Sequence, residues 1–159
     1  MTDFPRPLKI ITVWLLVGGT LFMAVQAWQA AQNRARVQVD GAAIELRRAP
    51  DGHFHWPGRV NGIAVDFLVD TGATGTALPA ALARQAGLQP EGRVRSNTAG
   101  GVAEGWIARA DIVLDGGVRA ERLRVVVLPE LAAPLLGMDL LSRLHFSQRG
   151  EVLRLEPPN

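Results

Sequence analysis

The hydrophobic pattern changes period twice along the chain. From Ile10 to Asn33 there is no charged residue, and the apolar positions follow no amphipathic stripe. About 24 residues as a helix would reach roughly 36 Å, enough to cross a hydrocarbon core of roughly 30 Å. This predicts a transmembrane anchor over residues 10–31, with Trp28 near its end, where aromatic belts lie. Two other readings compete for the same run. Val25-Gln26-Ala27 resembles the small-residue site of a cleaved signal peptide, and an all-apolar helix can also be buried in a core. Residues 34–50 read as a tether, with a short strand near Ala42–Leu46, and Pro50-Asp51-Gly52 is a turn signal at a domain boundary.

From residue 51 the period falls to two, the spacing of strands. His53–Trp56 alternates, and Val60-Asn61-Gly62-Ile63 carries the Asn-Gly hairpin signal between apolar residues. Ile63–Asp70 alternates again, placing Asp66, Leu68 and Asp70 on one face. Short strands are predicted at Thr76–Leu78, Arg93–Thr98, Val102–Ala108, Ala110–Leu114 and Leu123–Leu128, with a terminal hairpin through Arg149-Gly150. Two short helices interrupt them. One runs from Ala80 to Ala86, with Pro79 before it and Gly87 after it; the other spans Met138–Leu144. The division expected is 1–33 for tail and anchor, 34–50 for the tether, and 51–159 for a mostly β domain of barrel or sandwich type.

Composition removes several chemistries. There is no cysteine, so disulfides and thiol catalysis are excluded, and no tyrosine. The formal charge is +2 with basic residues scattered, which gives nucleic-acid binding no footprint. His53 and His55 sit two apart without a third ligand nearby in sequence, so no metal site is expected, and no glycine motif cradles a phosphate. What stands out is Asp70, a carboxylate closing an apolar strand and followed by Thr71 and Gly72. A carboxylate there is costly unless it is used. Two carboxylates about 3 Å apart would repel by roughly 5–6 kcal/mol at an effective dielectric of 20. They would share one proton over a wide pH range and so present an acid beside a base. Asp66, Asp111, Asp115 and Asp139 are the other aspartates weighed, and none lies in a second Asp-Thr-Gly turn. A second copy of Asp70, across a two-fold axis, is the economical partner.

Asp70-Thr71-Gly72-Ala73-Thr74 after an apolar strand, a glycine-bearing hairpin at Thr98–Val102, and Leu135-Leu136-Gly137 before a short helix together resemble the retropepsin-type aspartic proteases. The likeness is strongest to the membrane-anchored bacterial group and runs from about Phe54 to Leu155. The resemblance implies a mostly β, retropepsin-like acid protease half-barrel with two short helices, preceded by one transmembrane helix. It implies a homodimeric endopeptidase without cofactor, acting on protein or peptide substrate from a bacterial inner membrane, with its soluble domain periplasmic. Asp70 would be the catalytic carboxylate, Thr71 the hydroxyl that ties paired turns together, and Gly72 the residue that lets them approach. Ala73 and Thr74 would line the substrate cleft; Thr98, Ala99, Gly100, Gly101 and Val102 would form the flap. Thr74 stands where such turns often carry an acidic residue. A non-catalytic peptide-binding module of the same fold is the alternative reading. A third is a plain surface turn in an unrelated β domain.

Overall fold

The computed structural model describes residues 6–32, 36–39, 43–98 and 101–156. The chain forms two units, Met1–Arg34 and Ala35–Asn159. The first is a single helix, α1 (Arg6–Gln32). Its side chains are described from Thr12 to Trp28 and are exposed. Among the described residues, no helix is long and apolar enough to cross a membrane.

The second unit is β-rich, with two short helices. Its elements are β1 (Arg36–Val39), β2 (Ile44–Arg47), β3 (His55–Val60), β4 (Ile63–Val69), β5 (Ala77–Pro79), α2 (Ala80–Gln85), β6 (Gly92–Thr98), β7 (Gly101–Leu114), β8 (Val118–Leu128), β9 (Leu135–Leu136), α3 (Met138–Leu141), β10 (His145–Arg149) and β11 (Val152–Glu156). Part of the stretch read as a tether is therefore built into sheets. β1 pairs with β8 and β2 pairs with β11.

One sheet runs β1-β8-β5-β9-β4-β3-β7-β6, and β8 also pairs with β7. That extra pairing closes β8, β5, β9, β4, β3 and β7 into a ring, which is a barrel rather than an open half. β10, β11 and β2 form a separate three-stranded sheet. The two strands expected at 102–108 and 110–114 are one long strand, β7. Its register against β8 shifts between Ala110 and Ile112, and such an irregularity bends a strand without ending it. Bending lets β7 pair with β6, β8 and β3 in turn.

The β3–β4 hairpin turns at Asn61 (φ 47°) and Gly62 (φ 85°), the two left-handed positions of the tightest hairpin type. The Asn61 side chain also donates to Ala86 O at 3.0 Å and accepts from Asp111 N at 2.9 Å. The turn is thereby tied to α2 and β7. The barrel is filled by Trp56, Phe67, Leu78, Val127, Leu136 and Leu140, all fully buried. Trp56 donates its indole N–H to Asp115 O at 2.8 Å, so its one polar atom has a partner in the core.

Candidate active site

Asp70 lies just beyond β4, where the chain leaves the barrel wall. Its N–H donates to Leu136 O at 3.0 Å, which makes it the last rung of the parallel β4–β9 pairing. Its Oδ1 accepts the Gly72 N–H at 2.9 Å. A Cβ on Gly72 would stand 3.2 Å from that oxygen, so a side chain there would crowd the carboxylate. Asp70 is partly buried, while Thr71, Gly72 and Thr74 are exposed and Ala73 is half-buried.

The turn is held from below by the segment after β9. Met138 N donates to Ala73 O at 2.8 Å. Thr76 is fully buried. Its hydroxyl accepts from Gly137 N at 3.3 Å and donates to Asp139 Oδ1 at 2.9 Å, while its N–H donates to Asp139 Oδ2 at 3.0 Å. Asp139 thus clamps the segment that follows the Asp-Thr-Gly turn. At Gly137 a Cβ would come within 2.4 Å of the Gly75 carbonyl carbon. Only glycine lets these two backbones meet. The Leu-Leu-Gly segment and the Asp-Thr-Gly turn are two halves of one packed object.

None of the other weighed aspartates shares a hydrogen bond with Asp70 among the described residues. Asp139 is taken by Thr76, Asp111 Oδ1 accepts from Arg122 N at 2.7 Å, and Asp66 contacts His55 at 3.1 Å. Asp115 sits in the β7–β8 turn, its carbonyl bonded to Trp56.

Register shows which side chains share the face of Asp70. Leu68 precedes it by two residues and pairs with Leu135; Leu135 pairs with Ala77, Ala77 with Val126, and Val126 with Ile107. Paired residues point to the same side of a sheet. Leu68, Leu135, Ala77, Val126 and Ile107 therefore form an apolar floor running from Asp70 towards the β6–β7 hairpin. Ala77 is buried and the others are half-buried. Sequence reading missed this floor because it is assembled by pairing between distant strands, although the alternation within β4 already put Leu68 beside Asp70.

The hairpin itself has two faces. Val94, Ser96, Ala103 and Gly105 share the face of Ile107, in line with the apolar floor, while Arg93, Arg95, Glu104 and Trp106 stand on the opposite, back face. Val102 alternates with Glu104, so this predicted flap residue belongs to the back face and is 67% exposed. Gly101 closes the hairpin opposite Thr98 with φ +112°. Ala99 and Gly100 lie outside the described residues, as does the Thr98 side chain.

A charged cluster flanks the floor. His55 pairs with Leu68 and lies on its face. Its Nε2 is 2.8 Å from Asp51 Oδ2 and its Nδ1 is 3.1 Å from Asp66 Oδ2. Only the imidazolium offers a proton to both carboxylates. The bond to Asp51, with further help from Asp66, raises the His55 pKa above its usual value. The His53 N–H, followed by His55, lowers that of Asp51.

Two outcomes follow. Replacing Thr76 with Val keeps the volume and removes the hydroxyl. It leaves Gly137 N and one Asp139 oxygen short of a partner, and should cost about 1–3 kcal/mol. Urea denaturation of Thr76→Val and Thr76→Ser measures this; equal midpoints for both variants would show that the hydroxyl contributes nothing. The second outcome concerns pH. The His55 contribution to stability is complete below the unfolded value of about 6.5 and is lost as pH rises through the raised folded value. Melting temperature should fall between pH 6 and pH 9 more in the native chain than in His55→Gln. Parallel profiles would remove the cluster from the account.

With the geometry in place, comparison with known proteins is direct. The family model of the gag-polyprotein putative aspartyl protease matches residues 56–143, more than half of the chain. A retropepsin-like aspartic protease from Rickettsia conorii is 28% identical, with a TM-score of 0.57 over 77% of this chain and 93% of that one. The EIAV protease complexed with the inhibitor HBY-793 is 22% identical, with a TM-score of 0.47 over 55% of this chain and 84% of that one. The simian foamy virus (mac) protease is 18% identical, with a TM-score of 0.43 over 55% of this chain and 91% of that one. No curated protein matches. Asp70 in its Asp-Thr-Gly turn, clamped onto Leu135-Leu136-Gly137 within the matched span, places this chain in the retropepsin-like family of aspartic proteases.

Proposed function

We propose that the protein is an endopeptidase active as a homodimer, hydrolysing peptide bonds in extended protein segments with a water held between two Asp70 carboxylates. The observation that carries this reading is the single Asp70 on a rigid turn, with the other weighed carboxylates of its own chain engaged or placed elsewhere. In the paired state one Asp70 is ionised and its mate protonated. The ionised carboxylate takes a proton from water as the water oxygen bonds to the scissile carbonyl carbon. The protonated one gives its proton to the carbonyl oxygen, forming a neutral gem-diol. Breakdown passes a proton to the leaving nitrogen, the C–N bond breaks, and acid and amine are released. Thr71 ties the two turns together through its hydroxyl, and Gly72 allows them to approach. The apolar floor from Leu68 to Ile107 receives substrate side chains, with Ala73 and Thr74 at its edge. The β6–β7 hairpin, with Thr98–Val102 at its tip, closes over the peptide and excludes water.

We further infer that residues 10–31 anchor the chain as a single-pass protein of a bacterial inner membrane, with the catalytic domain on the periplasmic side. This rests on the uncharged run and on the tendency of a short N-terminal tail to stay in the cytoplasm. Two domains held in one membrane meet at a raised effective concentration, which favours weak dimers.

Asp70→Asn should lower cleavage of a mixed peptide library at pH 4 to 7 by at least about a thousandfold while leaving the fold intact. Undiminished cleavage would exclude Asp70 from the chemistry. For the anchor, the full chain should sediment with membranes and resist alkaline extraction. Recovery in the soluble fraction, with a new N-terminus near Ala27, would instead identify a cleaved signal peptide.

A further inference from the structure

The back of the β6–β7 hairpin carries a feature that the chemistry at Asp70 does not use. A cavity of about 840 Å³ opens beside it, lined among others by Arg93, Arg95, Glu104 and Trp106 of this face and by Val94 and Gly105, which belong to the other face of the ladder. Its size falls within the range of ligand-binding clefts. The alternation of β6 and β7 puts Arg93, Arg95, Glu104 and Trp106 on the face opposite Val94, Ala103 and Ile107. The cavity's charged and aromatic side chains thus lie behind the hairpin, away from the apolar floor that leads to Asp70.

The lining carries two arginines and two glutamates, and both glutamates already have partners. Arg95 is paired with Glu104 at 3.2 Å, and Glu91 at the cavity edge is paired with Arg109 at 3.2 Å. Arg93 lines the same space, exposed, with no hydrogen-bond or ion-pair partner among the described residues. One guanidinium is therefore left over. It stands directly across the ladder from Trp106, whose indole is half-buried between the core and the cavity. Pro90 and Pro129 add apolar walls that need no hydrogen bond from a ligand. β6 is also the terminal strand of its sheet, so its outer edge offers backbone N–H and C=O groups to another extended chain.

We propose that this back face is a second peptide-binding site, taking an extended segment of a partner protein with an acidic side chain next to an apolar one. The segment adds to the edge of β6. Its carboxylate meets Arg93, and its apolar neighbour packs on Trp106, Pro90 and Pro129. A planar guanidinium suits a carboxylate held by two parallel bonds. The occupant sits on the back of the same hairpin whose front leads to Asp70, and its binding is independent of whether Asp70 cleaves.

The test uses the full-length chain carrying Asp70→Asn, so that no probe is cut. The probe is a fluorescein-labelled octapeptide of alternating Glu and Leu, followed by anisotropy, with a Lys–Leu octapeptide as counterpart. The Glu peptide should bind, weaken several-fold between 50 and 300 mM salt, and be displaced by its unlabelled form. Arg93→Glu should weaken it at least tenfold and should now favour the Lys peptide, while Trp106→Phe preserves the preference for Glu. Circular dichroism confirms that the variants are folded. Equal affinity of both peptides for the parent chain, unchanged affinity in Arg93→Glu, or no binding at millimolar peptide overturns the proposal. A failure of proteolysis in the native chain would leave this result untouched, so the two readings fail separately.

Discussion

The structure depends on the contact between two backbones, at Gly75 and Gly137, that leaves no room for a β-carbon. Around it the fully buried Thr76 hydroxyl links Gly137 to Asp139, and Asp139 closes the ring on the Thr76 amide. A half-buried carboxylate is tolerable here because two charge-assisted bonds satisfy it. This clamp ties the Asp70 turn to the segment after β9. Asp70 then sits on a rigid element, with its own N–H bonded to Leu136 O and its carboxylate steadied by the Gly72 amide. Preorganisation of this kind is what a site needs if a second copy is to meet it in register.

Much of this was legible from the residues alone, for reasons that can be named. Asn61-Gly62 formed the predicted hairpin because both positions adopt left-handed backbone that few other pairs tolerate. The β4 strand alternates cleanly, so Leu68 and Asp70 fell on one face. Leu135-Leu136-Gly137 was one of the motifs that carried the resemblance, and the backbone contact explains why its glycine is required. What stayed hidden is non-local. Thr76 and Asp139 are 63 positions apart, and neither residue type nor spacing announces their pairing. The apolar floor depends on four strand pairings that bring together residues from Leu68 to Leu135. The closed ring follows from β8 pairing with β7 as well as β5. A bend within β7 also concealed that two expected strands were one.

The hairpin illustrates how register decides function. Its tip was legible as glycine-rich, but composition does not reveal which side of a two-stranded ribbon faces a cleft. Pairing of Ile107 with Val126 and of Trp106 with Val127 shows which face continues the apolar floor beside Asp70. The face of Ile107 carries small or apolar residues, and the back carries arginines, a glutamate, a tryptophan and Val102. The two faces of this ribbon therefore differ in chemistry.

The central claim is that one chain supplies half of an active site. Titrating the native chain with Asp70→Asn chain at fixed total concentration, under conditions where subunits exchange, tests it most directly. If each site needs an Asp70 from both copies, peptidase activity falls as the square of the native fraction, to about a quarter in an equal mixture. Activity that falls in simple proportion to the native fraction would mean that each chain works alone, and would contradict the account.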